Sequence, residues 1–346
     1  MSERAPILPR ERSSPAPAPA GEGEVRIRLS RPGASHCLEI PAEEISEVLP
    51  TPGAVLWMDV RDPGSAILDT LREEFHFHRL ALEDVAKQRQ RPKVDEYPEY
   101  YFVVMYALAP EEAGGGIETA EVDLFVGRNY VVSLHRGAIP ALHEAMHRWE
   151  RTEPDLRGQV GFLLHTIIDA VIDAYFPAVD GIEDRLDSLE LAMFRPGGSV
   201  DTEELLGVKR SLFTLRKAIY PLREVFNAFL RRDQAIFTPD TFPYFQDVYD
   251  HVLRLLDIID IQRDMATGAL DAHLAVISNR LNETMKRLTV VGICVAIMGA
   301  VFGAWGMNFD SGVPLAHLKN GFWIVSAGVL VLVALTLVWT RWRRLW

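Results

Sequence analysis

Cysteine is almost missing from this chain: 346 residues hold two, Cys37 and Cys294. They form neither a disulfide framework nor a zinc-ligand cluster. Basic residues are outnumbered, 36 Lys and Arg against 48 Asp and Glu, for a formal charge of −12. That balance excludes nucleic acid as a partner and favours a surface that attracts cations. No P-loop motif is present to support nucleotide hydrolysis. Residues 1–24 carry five prolines among Ala, Ser and Glu and lack the continuous apolar core of a signal peptide, so they read as a disordered cytoplasmic tail.

Charge is absent altogether from two stretches, Leu288 to Met307 and Gly321 to Thr340. At about 1.5 Å rise per residue each is just long enough to cross ~30 Å of hydrocarbon as a helix. Arg280, Lys286 and Arg287 precede the first, and Arg341, Arg343 and Arg344 follow the second. Basic flanks stay cytoplasmic, so both termini are expected inside and only the loop 308–320 outside.

Within the first span Asn282, Met285, Thr289, Gly292, Ala296, Gly299 and Gly303 recur at three- and four-residue steps. They form one stripe of small or polar side chains. Such a stripe suits close packing of membrane helices. It also suits a pore wall, because flanking Asn is an odd choice for a purely apolar contact. A pore wall needs a ring of copies, since one such helix encloses nothing.

The remainder reads as an α+β cytoplasmic domain followed by long helices. In 25–137, Val25 to Leu29 alternates like a half-buried strand and Ala54 to Val60 reads as a buried one. Ser65 to Gln88 is expected to be helical. Tyr100 to Leu108, Ala120 to Val126 and Asn129 to His135 are β-rich, the last two joined by a Gly127-Arg128 turn. In 138–242 helices are expected over about 139–151, 155–194 and 201–232. A helix from Pro243 to Trp305 then carries Val248, Val252, Leu255, Ile259 and Gln262 at coiled-coil-like spacing and continues into the span 288–307. The segments 308–320, 321–340 and 341–346 are outer loop, second span and basic tail. Asp169, Asp173, Asp180, Glu183, Asp184, Asp187 and Glu190 crowd one stretch, either a solvated helix face or an electronegative vestibule.

Asn279-Arg280-Leu281-Asn282-Glu283-Thr284-Met285-Lys286, the first span and Gly306-Met307-Asn308 together resemble the CorA family of divalent-cation channels, which has Gly-Met-Asn at the outer end of the first of two C-terminal spans. Gln90-Arg91-Pro92-Lys93-Val94, Tyr220-Pro221-Leu222-Arg223-Glu224-Val225 and Tyr244-Phe245-Gln246-Asp247-Val248-Tyr249-Asp250 extend the resemblance in the right order from about Val25 onward. It implies a funnel-shaped homo-oligomer, a pentamer in the cell membrane, that passes Mg2+, with Co2+ and Ni2+ as alternatives, and is no enzyme. Gly306, Met307 and Asn308 are then the selectivity filter. Asn282, Met285, Leu288, Thr289, Gly292, Ala296, Gly299 and Gly303 line the pore. Glu83, Asp84 and Asp247 hold regulatory cations between neighbouring subunits, with Asp169, Asp173 and Asp271 as a further sensing surface. No cofactor is implied; Mg2+ is both substrate and closing ligand.

Two features depart from this reading. The family commonly follows its signature with Met-Pro-Glu, whereas here Gly312-Val313-Pro314-Leu315 leaves Asp310 as the loop's only carboxylate. A transporter of Zn2+ or another transition metal, as in the ZntB branch, is the alternative. Separately, His143-Glu144-Ala145-Met146-His147 matches H-E-x-x-H, which on a helix pairs two zinc ligands with a general base. It would make a membrane-tethered peptidase, but no clear third-ligand signature accompanies it. The remaining histidines are scattered and suggest no site. A non-conducting scaffold would leave the Asn-flanked stripe unexplained.

Overall fold

The computed structural model describes residues 23–34, 36–110, 116–195, 200–231, 238–306 and 320–342. They fall into two units, one of residues 1–190 and 201–267 and the other of 191–200 and 268–346.

The first unit is built on a seven-stranded sheet. Its strands are β1 (Glu24–Ser30), β2 (Leu38–Glu39), β3 (Val55–Arg61), β4 (Lys93–Glu96), β5 (Tyr101–Leu108), β6 (Thr119–Val126) and β7 (Tyr130–His135), in the order β2-β1-β3-β7-β6-β5-β4. Only β3 and β7 run parallel; the other neighbours are antiparallel. The five strand readings hold to within a residue or so. Two short strands escape them: β2 has two residues, and β4 follows directly on Pro92 and has four. Neither is long enough to show an alternation.

The Ser65–Gln88 segment is two helices, α2 (Ser65–Phe75) and α3 (Arg79–Lys87), after the single-turn α1 (Ile45–Val48). His76 breaks it by taking a left-handed φ of 57°. His78 then caps α3, its Nδ1 accepting from Leu80 N–H at 3.2 Å. The break turns Phe77 into the core, stacked on Phe125 at 4.0 Å. Trp57, fully buried, meets Trp149 of α4 (Pro140–Arg151) edge-on at 6.2 Å.

The 155–194 stretch is also divided, into α5 (Pro154–Arg157), α6 (Val160–Asp173) and α7 (Tyr175–Phe194). Pro177 has no N–H to offer the Asp173 carbonyl, which accounts for the interruption at Ala174. The crowded acids therefore lie on two helices. On α7, Val179, Ile182, Leu186 and Leu189 are buried while Asp180, Glu183, Asp184 and Asp187 are exposed, a solvated face. Pro221 similarly splits 201–232 into α8 (Thr202–Ile219) and α9 (Leu222–Arg231).

α10 runs unbroken from Phe242 to Trp305, 64 residues. In the first unit Val248, Val252, Leu255, Ile259 and Gln262 are all buried, the seam the spacing predicts, and Ala266 extends it. Gln262 donates there from Nε2 to the Val179 carbonyl at 3.1 Å.

The second unit contains the rest of α10 and α11 (Gly321–Trp342). Among the described residues three segments are apolar and long enough to cross a membrane. In Val160–Phe194, 56% of the most apolar window is buried within the chain, against 11% for each of Phe242–Ala304 and Gly321–Trp342. The first is a core element; the other two leave their apolar surface outward, as spans do.

Candidate cation sites

α3 presents Glu83 and Asp84 one after the other. Glu83 is tied to Lys87, one turn on, at 2.5 Å, and that hydrogen bond draws its pKa down. Asp84 is half-buried and held on both oxygens by its own chain. Oδ2 lies 2.8 Å from Lys93 Nζ, and Oδ1 accepts from Gln90 Nε2 at 3.3 Å. Burial alone would lower the Lys93 ammonium, but hydrogen bonds to Asp84 and Asp95 outweigh it and its pKa rises. Lys93 is thus a built-in monovalent occupant of Asp84.

Behind Asp84 stand two buried carboxylates of β6. Glu121 and Asp123 are 6% and 2% exposed. Burial, then the neighbouring Glu121 and Asp84, pushes the Asp123 pKa well above the usual carboxylate range.

On α10 Asp247 is exposed, its side chain at 69%, with His251 Nε2 one turn away at 3.9 Å. Asp84 and Asp247 share no hydrogen bond or ion pair among the described residues. Asp169 and Asp173, one turn apart on α6, are bridged by Arg148 of α4: Nη1 lies 3.3 Å from Asp169 Oδ2 and 3.0 Å from Asp173 Oδ2. Burial, then Asp173, raises the Asp169 pKa, while Arg148 opposes them.

His251 completes this group. One ligand atom from each of Asp169, Asp173 and His251 lies within 4.8 Å of the others. Two carboxylates and an imidazole can hold a divalent ion once the guanidinium swings away, oxygen favouring Mg2+ and nitrogen favouring transition metals. His251, one of the histidines scattered along the sequence, thus lies beside Asp169 and Asp173. The signal available in the chain was its place four residues after Asp247, on the same helix face. Lys93 and Arg148, the competing cations, were equally unmarked. Asp271 belongs to the second unit and is exposed on α10.

The H-E-x-x-H match does fall on one helix, with the His143 and His147 rings edge-on at 4.4 Å. Its members are engaged otherwise: Glu144 pairs with Arg148 at 3.2 Å, and His147 Nδ1 lies 3.8 Å from Glu150. Neither histidine belongs to a three-ligand group among the described residues.

In the span, Val290 and Cys294 are buried while Asn282, Met285, Leu288, Thr289, Gly292, Ala296, Gly299 and Gly303 are exposed. At 100° per residue the stripe lies nearly opposite the Val290–Cys294 face. A cavity of about 630 Å3 is lined by Asn282, Met285, Thr289 and Val290 of α10 together with Trp339 and Thr340 of α11. A Cβ added at Gly292, Gly299 or Gly303 would meet nothing within 4 Å, so at its glycines the stripe packs against nothing in its own chain. Gly306 closes α10, its N–H donating to the Phe302 carbonyl at 2.9 Å. Met307, Asn308, Asp310 and the Gly312–Leu315 loop lie outside the described residues.

Comparison with known proteins follows this geometry. The family model described as CorA-like Mg2+ transporter protein matches residues 52–342. YfjQ of Bacillus subtilis is 35% identical over 285 residues, 82% of this chain and 87% of its own length. The cobalt/magnesium transport protein CorA of Thermotoga maritima is 30% identical over 279 residues, 80% of this chain and 79% of its own. The complete structure of the CorA magnesium transporter from Methanocaldococcus jannaschii superposes with a TM-score of 0.77 at 24% identity, covering 92% of this chain and 97% of the other. At that identity the superposition speaks for the fold.

Proposed function

This chain belongs to the CorA-like Mg2+ transporter protein family, a family of transporters rather than enzymes, and from that premise we propose that it is a homopentameric channel through which the membrane potential drives Mg2+ into the cell. The observation that carries the reading is the open stripe on α10. Its glycines have empty space beside them and its polar residues are exposed. Five copies around an axis give that face a lumen.

The chain sits in the cell membrane with both termini cytoplasmic, as the basic flanks support. Asn308 and the carbonyls near Gly306 receive the ion through its water shell, since Mg2+ dehydrates reluctantly. Asn282 adds an inner polar ring, and Met285 and Leu288 an apolar constriction that closes by dewetting. Co2+ and Ni2+ are secondary substrates. Zn2+ ranks behind them, because the matched family is one of Mg2+ transporters.

Closure is read at Asp84 and Asp247 of adjacent subunits, where a cation neutralises two facing carboxylates and favours the closed ring. Within one chain that cation must displace Lys93 from Asp84. The group of Asp169, Asp173 and His251 is a second sensing point, where the ion competes with Arg148.

The test is Mg2+ flux in proteoliposomes. Asn308→Ala replaces an amide with a group that offers no hydrogen bond, and should abolish uptake while the pentamer remains intact by size. Near-normal flux in an assembled mutant would sink the filter. Loss of flux in the wild type itself would sink the channel.

A further inference from the structure

Between the α3–β4 turn and the C-terminal end of α8 lies a groove of about 630 Å3, the size of a small-molecule cleft. Its charged lining is Arg89, Arg91 and Lys217, with no carboxylate, in a chain whose acids outnumber its bases 48 to 36. Among the described residues none of the three has an ion-pair partner. The rest of the wall is largely apolar: Pro92 is buried in it, while Phe213 is 69% exposed.

The cations are not on a loose loop. Gln88 and Arg89 hold φ of 52° and 66°, a region non-glycine residues seldom enter. The buried Glu121 and the half-buried Tyr106 hold the turn from below. The Glu121 carboxylate accepts the backbone N–H of Gln90 at 2.9 Å and that of Arg89. The Tyr106 hydroxyl, which also faces the groove, lies 2.7 Å from the Gln90 carbonyl. Strained backbone fixed from below is a feature of ligand clamps, where preorganisation reduces the cost of binding.

We propose that this groove binds a nucleoside polyphosphate, with the phosphates among Arg89, Arg91 and Lys217 and the base against Phe213. Three uncompensated cations call for a multiply charged anion, and guanidinium forks match phosphate oxygens. An exposed ring beside them offers a stacking surface to any flat base. Inorganic phosphate would leave that ring unused. An acidic helix of a second copy would satisfy the charges but not fill a concave groove of this volume. The proposal is independent of which cation the pore passes.

The test uses the full-length protein in detergent with a chelator present, so that no metal bridges the nucleotide to the acidic helices. ATP is titrated by calorimetry, with tripolyphosphate and adenosine as separate arms. Wild type should bind ATP saturably, more weakly as salt rises. Arg89→Gln and Lys217→Gln should each weaken ATP by about tenfold, the effect of one charge-assisted contact. Phe213→Ala should weaken ATP several-fold and leave tripolyphosphate unchanged. Oligomer size and melting temperature, unaltered in each variant, show that the fold is kept. Absence of saturable ATP binding overturns the proposal, as does ATP affinity indifferent to Arg89→Gln and Lys217→Gln. Equal affinity for ATP and tripolyphosphate with no effect of Phe213→Ala reduces the groove to a bare anion patch and overturns the nucleotide. Dissociation of the oligomer by the charge variants, without anion binding, makes the groove a contact between copies and overturns it too.

Discussion

At the scale of residues, the regulatory reading turns on competition for Asp84. Because Lys93 holds Asp84 at 2.8 Å, Lys93→Ala should free the carboxylate for a cation. Closure should then need about tenfold less internal Mg2+, the effect of removing one charge-assisted bond. Asp84→Asn should move it the other way. Channel currents recorded against internal Mg2+ read both shifts; movement in the same direction would place the sensor elsewhere. Asp123 gives a pH prediction. Its folded pKa lies above the unfolded 3.8, so the folded state holds the extra proton and stability declines as pH rises through that interval. Asp123→Asn removes the dependence. The variant's melting temperature should gain on wild type between pH 4 and pH 8, and a constant offset across that range would refute the assignment. Gly127 is a steric case: a Cβ there would sit 2.2 Å from the buried Tyr130 ring. Gly127→Ala should cost about 1–3 kcal/mol by overpacking, seen as a lower melting temperature.

At the scale of elements, α10 has two faces with opposite requirements. Its first-unit part is held by fully buried side chains, and Leu255→Ala should cost about 2–5 kcal/mol in thermal or denaturant unfolding. Its membrane part has a stripe whose glycines touch nothing in the same chain. Gly299→Leu separates the two readings of that stripe. If the stripe lines a lumen, the oligomer survives and Mg2+ uptake falls at least about tenfold, since a ring of leucines narrows and dries the path. If the stripe is a helix-packing contact, size-exclusion chromatography shows the oligomer coming apart instead.

At the scale of the whole molecule, energy for uptake has to come from outside the chain. A divalent ion crossing the full potential gains about 4.6 kcal/mol per 100 mV, twice the single-charge value. Collapsing the potential across proteoliposomes should therefore abolish concentrative Mg2+ uptake, and uptake that persists would require another driving force such as a proton gradient. The proposed intersubunit site adds a coupling test. Asp84→Asn and Asp247→Asn together should shift closure little further than either alone, because one disabled site cannot be disabled twice.

Legibility followed the range of the interactions involved. The two uncharged runs, their basic flanks and the seam Val248–Gln262 are written in local composition and period, which depend only on bilayer thickness and helix pitch. Strands β3, β5, β6 and β7 were likewise visible as buried runs. Helix breaks at His76, Ala174 and Pro221 were not, since a periodic apolar pattern continues across a corner that only packing demands, although Pro177 and Pro221 offered a local hint. The parallel pairing of β3 with β7, which joins the two halves of the order β2-β1-β3-β7-β6-β5-β4, rests on contacts between residues some seventy positions apart. The same holds for the charges. Asp84, Asp169, Asp173 and Asp247 could be named as candidates from the family's motifs. That Lys93 holds the first, that Arg148 bridges the next two, and that His251 joins them are consequences of distance in space, which decides how strongly charges act on one another and has no counterpart in spacing along the chain.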